Sequence, residues 1–185
     1  GYVTRSMVTN CSANLGAGVY LHGSVSGPAY YQILSTSVIS NNTSTRNGAV
    51  YVDGRGLVIN NTITNNYTAN SLDVADQDAS YTGGVYIKEN GLLANNILWN
   101  NSLLQSSSAS KAQVYAANPS KEGVQFYNNA ISDVSAASWN DTYQTGTLSI
   151  NNYYSGKGFV MGEAGTPFTS VDDFNTKRGV IGSLT

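Results

Sequence analysis

The sequence predicts an all-β parallel solenoid of about six coils, closed at its C-terminal end by an irregular cap. Three observations carry that expectation. First, the 185-residue chain is polar yet scarcely charged, with 22 Asn, 23 Ser, 16 Thr, 19 Gly and only 11% charged residues. Those four residue types are mediocre or poor helix formers, while 41% apolar residues argue against charge-driven disorder. Second, a segment of the form apolar-x-(two small or polar)-x-apolar-x-(Asn/Asp) recurs. It runs over Val3–Asn10, Leu34–Asn41, Val58–Asn65, Leu93–Asn100 and Phe126–Asp133, with a decayed sixth copy from Ser149, at intervals of 31, 24, 35, 33 and 23 residues. Third, a Val-Tyr segment sits between copies, at Gly18–Leu21, Ala49–Val52, Gly84–Ile87 and Gln113–Ala116. The shortest gaps give a unit of 24 residues. Longer units differ only at two junctions, as loops on a constant scaffold do.

Taken in order, residues 1–156 form the coils. Each coil stacks on the last at about 4.8 Å and pairs its strands in parallel. Alternation with period two turns Val50 and Val52 inward and Tyr51 outward. Paired Asn residues are unfavourable inside strands but suit sharp corners, because Asn tolerates left-handed backbone geometry. Stacked Asn side chains can also bond to one another as a ladder. Both roles place Asn at fixed phase, as at 60/61, 95/96, 128/129 and 151/152. The first copy starts at once from Gly1, so upstream coils or a partner are expected to cover that end. Residues 157–185 lose the repeat and gather Phe159, Met161, Phe168, Phe174 and Val180. They read as a cap, with Ser170-Val171-Asp172-Asp173 opening a short helix at about 170 to 177.

The Asn60-Asn61-Thr62-Ile63-Thr64-Asn65-Asn66 run, its relative at 95 to 101, and Gly83-Gly84-Val85-Tyr86-Ile87 resemble the right-handed parallel β-helix of pectate-lyase-like proteins. They are similar also to the β-helix repeats of bacterial surface proteins and autotransporter passengers. The resemblance implies a right-handed solenoid over about residues 1 to 156. The six-residue period of left-handed hexapeptide helices is absent. The superfold hosts lyases, hydrolases, adhesins and tailspikes, so function must come from a site. The Asp clusters of its pectin hydrolases and the Arg-plus-calcium arrangement of its lyases find no match here.

Several functions are disfavoured outright. A net charge of −2 offers no attraction for nucleic acid or anionic membrane, and no apolar run approaches the ~20 residues of a membrane span. One cysteine, Cys11, excludes an internal disulfide framework. Superposed coils place Tyr20, Tyr51, Tyr86 and Tyr115 in one outward column, followed two residues on by His22, Asp53, Lys88 and Ala117. Insertions at 67–82 and 102–112 would form a wall beside it. An aromatic face with polar neighbours suits sugars, whose C–H faces pack on rings. The competing structural reading has the tyrosines stacking on one another under loops. If the column binds glycan, replacing Tyr51 and Tyr86 by Ala should abolish retention with little effect on folding.

His22, the one histidine, could serve as a base but has no carboxylate near it in sequence. Asp53 and Lys88 could meet across coils as an exposed ion pair. Arg55 and Lys88 carry the charge a lyase needs to stabilise an enolate, although nothing in their spacing selects them. Asp73, Asp76 and Asp78 are weak candidates for Ca²⁺, without the EF-hand pattern; no other cofactor is indicated. A regular outward Thr array, as ice binding requires, is interrupted by Trp99. The expectation is a secreted or cell-surface module of bacterial type that binds a polysaccharide or surface glycan without catalysis. The alternatives are a polysaccharide lyase or glycoside hydrolase acting along the tyrosine column, or a structural spacer.

Overall fold

A computed structural model describes residues 1–23, 31–69, 82–103, 113–116, 124–132, 148–154, 158–163 and 166–167. Four successive rungs each contribute four short strands. The first holds β1 (Tyr2–Thr4), β2 (Met7–Thr9), β3 (Ser12–Leu15) and β4 (Val19–His22). The second holds β5 (Gln32–Ser35), β6 (Val38–Ser40), β7 (Thr43–Asn47) and β8 (Val50–Asp53). The third holds β9 (Gly56–Ile59), β10 (Thr62–Thr64), β11 (Tyr67–Thr68) and β12 (Val85–Ile87). The fourth holds β13 (Gly91–Ala94), β14 (Ile97–Trp99), β15 (Ser102–Leu103) and β16 (Val114–Ala116). Equivalent strands of adjacent rungs pair in parallel, as Tyr2 with Ile33, Ile33 with Leu57, and Leu57 with Leu92.

The coil count differs from the expected six. Among the described residues the four complete rungs make about three turns. Beyond them, β17 (Val124–Tyr127), β18 (Ala130–Ile131) and β19 (Leu148–Tyr154) continue only the long sheet. Ser149 does pair with Phe126, as the decayed sixth copy requires. Its Asn151-Asn152 pair, however, lies within the continuous strand β19, which pairs with both β17 and β18. β20 (Gly158–Glu163) and β21 (Thr166–Pro167) then add antiparallel strands beside β19. The short helix expected at about 170 to 177 lies outside the described residues.

Alternation sorts the side chains. Val50, Val52, Val85, Ile87, Val114 and Ala116 enter one core with Leu34, Ile39, Val58, Ile63, Leu93, Leu98, Phe126 and Ile131. Burial of each Val, Leu or Ile contributes roughly 1.5–3 kcal/mol, and the intervening tyrosines are left on the opposite face.

Most of the corners are made by Asn, although Arg5 (φ 50°) and Thr36 (φ 52°) take the same geometry at the first corner of the first two rungs. Asn10, Asn41, Asn60, Asn65, Asn95, Asn100 and Asn128 have φ between 53° and 59°, the left-handed region in which Asn is least penalised. From the second rung on the residue after each is buried, and these residues build two ladders, whereas Cys11, after Asn10, is exposed. In one, Asn61 sends its backbone N–H and a side-chain N–H to Asn96 Oδ1, at 2.9 and 3.0 Å. Asn96 treats Asn129 in the same way, and Ser37 N–H donates to Asn61 Oδ1. In the other, Asn42 bonds to Asn66 and Asn66 to Asn101 by the same paired contacts. The remaining side-chain N–H of each Asn finds a carbonyl: Asn61 with Leu34, Asn96 with Val58, Asn66 with Ile39. At the end of this ladder Gln113 Oε1 accepts from Asn101 Nδ2 at 2.8 Å. Buried amides are tolerated because their donors and acceptors are matched.

Candidate functional site

The tyrosine column is real. β4, β8, β12 and β16 pair with Tyr20, Tyr51, Tyr86 and Tyr115 in register. Strand spacing holds the rings nearly parallel, with centroids 5.1, 4.9 and 5.7 Å apart in succession, a favourable stacking range. Its exposure is uneven. Tyr51 and Tyr86 are 7% exposed and Tyr115 is 6%, whereas Tyr20 is 45% exposed. Three of the four rings therefore form a small second core, with Leu15 packed against it. An open platform of four rings does not exist; the accessible ring is Tyr20.

Polar residues gather beside Tyr20. The register pairs His22 directly with Asp53, and a glycine contact locks the turn beyond them. Gly23 N–H donates to Asp53 O at 2.8 Å, while Gly54, at φ +93°, lies so close to the Gly23 carbonyl that a Cβ would collide with it. Asp53 is thus held at the centre of the cluster. Its Oδ2 accepts the Tyr20 hydroxyl at 2.9 Å and lies 3.2 Å from His22 Nδ1. Its Oδ1 pairs with Lys88 Nζ at 3.0 Å. The carboxylate absent from the chain neighbours of His22 arrives from the next rung, at the same position of the superposed column.

The electrostatics follow from this geometry. Burial alone would raise the Asp53 carboxyl. Hydrogen bonds from Lys88 and Tyr20, the Lys88 charge and the contact with His22 outweigh it and hold the group below its ordinary value. The Tyr20 hydroxyl is pushed up to about 12, first by burial and then by its bond to Asp53 and that residue's charge. Lys88 is raised chiefly by its hydrogen bond to Asp53, against a smaller opposing effect of burial. The His22 side chain is 73% exposed, which leaves the edge of its ring open to solvent.

Arg55 is half-buried, and among the described residues no hydrogen bond or ion pair joins its side chain to the cluster. Asp73, Asp76 and Asp78, with most of the two insertions, lie outside the described residues. Among those described, no group of three or more His, Cys, Asp or Glu could hold a metal ion, and no helix is long and apolar enough to cross a membrane. Sequence reasoning missed the central role of Asp53, which bonds to Tyr20, His22 and Lys88 together. Its signal was the shared position of His22, Asp53 and Lys88, two residues after the tyrosine in three successive rungs. No protein-family model, no curated protein and no solved structure matches the chain. The pectate-lyase-like resemblance rests on the repeat pattern alone.

Proposed function

We propose that this chain is a secreted or cell-surface β-solenoid module, right-handed and pectate-lyase-like, that binds a polysaccharide or surface glycan without cleaving it. The ligand sits at the accessible end of the tyrosine stack. The supporting observation is the half-exposed Tyr20 ring beside Asp53, His22 and Lys88, which are fixed by contacts of 2.9 to 3.2 Å. A sugar's C–H face packs on the ring while its hydroxyls bond to the carboxylate, imidazole and ammonium. Retention on immobilised uronate-containing and neutral polysaccharides tests this. Tyr20→Ala should abolish retention while leaving the melting temperature close to that of the parent; retention by the variant would move the site elsewhere.

The His22–Asp53 contact favours a second reading, a lyase or hydrolase in which a carboxylate orients a general base. That reading calls for new absorbance from an unsaturated uronate, or for new reducing ends. The burial of Tyr51, Tyr86 and Tyr115 favours a third, a structural spacer that retains no glycan.

A further inference from the structure

A second exposed aromatic lies on another face of the solenoid. On β6, β10 and β14, alternation turns Ile39, Ile63 and Leu98 into the core, where they are fully buried. It leaves Val38, Thr62 and Ile97 aligned in one outer column and Ser40, Thr64 and Trp99 in the next. Ile97 is 46% and Trp99 42% exposed. Their strand is an interior one, paired with β10 on one side and β18 on the other. A large apolar ring left in water on a paired strand, where the preceding rungs carry Ser and Thr, calls for an explanation.

Two amides stand at the corner that follows Trp99 and its partner Thr64. Asn65 and Asn100 are held there with φ of 55° and 54°. Asn65 N–H donates to Trp99 O at 3.2 Å, and Asn100 N–H donates to Ser132 Oγ at 2.9 Å. Between the side chains, Asn100 Nδ2 donates to Asn65 Oδ1 at 2.6 Å. That bond fixes both amides and leaves Asn65 Nδ2 as a donor and Asn100 Oδ1 as an acceptor, neither with a partner among the described residues.

The face is also uncharged. Residues 33–45, 56–66 and 91–102 hold no Asp, Glu, Lys, Arg or His, in contrast to the cluster of Asp53, Lys88 and His22 beside Tyr20. We infer that this face is a separate binding surface for a neutral polysaccharide, with the Trp99 ring as its platform and the Asn65–Asn100 corner as its hydrogen-bonding rim. A sugar's C–H face packs on the indole, and its hydroxyls, which both donate and accept, match the two open amide groups. A uronate would find no cation there to offset the desolvation of its carboxylate. A second copy of the chain fits less well. The exposed apolar part is two side chains, against the roughly 800 Å² per partner of a standard interface, and the surrounding hydroxyls and amides would all need matched partners. The inference does not depend on the Tyr20 site, which lies on a different sheet.

Trp139→Phe makes Trp99 the sole tryptophan, so its emission reports on this face alone. Native gels and emission spectra with hydroxyethyl cellulose, galactomannan and dextran, and with polygalacturonate as the charged control, test the assignment. At least one neutral polymer should retard the protein and shift Trp99 emission to shorter wavelength, while polygalacturonate leaves the emission unchanged. Trp99→Thr, which repeats the residue at position 64, should weaken retardation about tenfold or more with a melting temperature near that of the parent. Asn65→Gly, which keeps the left-handed corner and removes the amide, should weaken it less. Tyr20→Ala should leave the emission shift in place. An emission unmoved by all three neutral polymers, or moved equally by polygalacturonate, overturns the inference. Retardation that Trp99→Thr keeps and Tyr20→Ala loses overturns it too, while leaving the Tyr20 site standing. An emission shift produced by protein concentration alone would make the occupant a second copy and likewise overturn it.

Discussion

Two columns rise through this solenoid, and each stacks one residue type on itself. In the Asn ladders, every rung is bonded to the next through a backbone and a side-chain N–H, and the residues are buried from Asn42 to Asn129. In the tyrosine column the rings touch face to face, three are buried, and the fourth ends beside a charged cluster. Repetition thus serves two purposes. The ladder is intolerant at every position, because each amide completes its neighbours. The tyrosine column is buried in its interior and open at Tyr20, so substitution there should be tolerated more readily.

The contrast can be broken in several ways. Asn66→Asp should be the most damaging: it keeps the acceptor for Asn42 and the backbone bond to Asn101 Oδ1, loses the side-chain bonds to Ile39 O and Asn101 Oδ1, and buries a charge. A loss of about 3–5 kcal/mol is expected, a large part of the stability of a typical domain; an unchanged urea midpoint would show that the ladder is dispensable. Tyr86→Ala should cost about 3 kcal/mol through the void it leaves, against under ~1 kcal/mol for Tyr20→Ala. The burial of Tyr51 and Tyr86 argues against removing interior tyrosines with little effect on folding, and equal losses at the two sites would erase the distinction. Asn95→Ala, at φ 56°, should cost about 1–2 kcal/mol for a Cβ in left-handed geometry. Asn95→Gly, which has no Cβ, should stay closer to the parent midpoint.

The smallest effect is that of pH. The lowered carboxyl of Asp53 contributes stability above about pH 4 that is lost as pH falls through its native value. The raised Tyr20 hydroxyl and Lys88 ammonium contribute stability below about pH 10, lost as pH climbs through their native values, about 12 for Tyr20. Exposure limits the ion pair to under ~1 kcal/mol. Melting temperatures of the parent and Asp53→Asn should therefore converge at both extremes, and a constant offset across the range would detach the cluster from stability.

Much of this was legible in the residues. Val50-Tyr51-Val52 gave its faces away by alternation, and Asn60-Asn61 gave away both the corner and the ladder, since each role needs Asn at one phase. The fate of Asn151-Asn152 was not legible: the same dipeptide lies inside β19, where antiparallel pairing of Asn152 with Val160 of β20 continues the strand through the corner position. Nor was the burial of Tyr51, Tyr86 and Tyr115. Period two tells which face a ring takes, while its exposure depends on what packs around that face. His22 and Asp53 are 31 residues apart, and only the register across the rungs makes them neighbours.

Every hydrogen bond between rungs runs along the stacking direction, with consequences under load. Tension applied at the two ends strains one interface at a time, so the molecule should peel sequentially rather than shear as a block. Each released length would be set by chain between equivalent corner residues, which is 31 from Ser6 to Ser37, 24 from Ser37 to Asn61, 35 from Asn61 to Asn96 and 33 from Asn96 to Asn129. A force-extension trace with a single rip would contradict this mechanical independence.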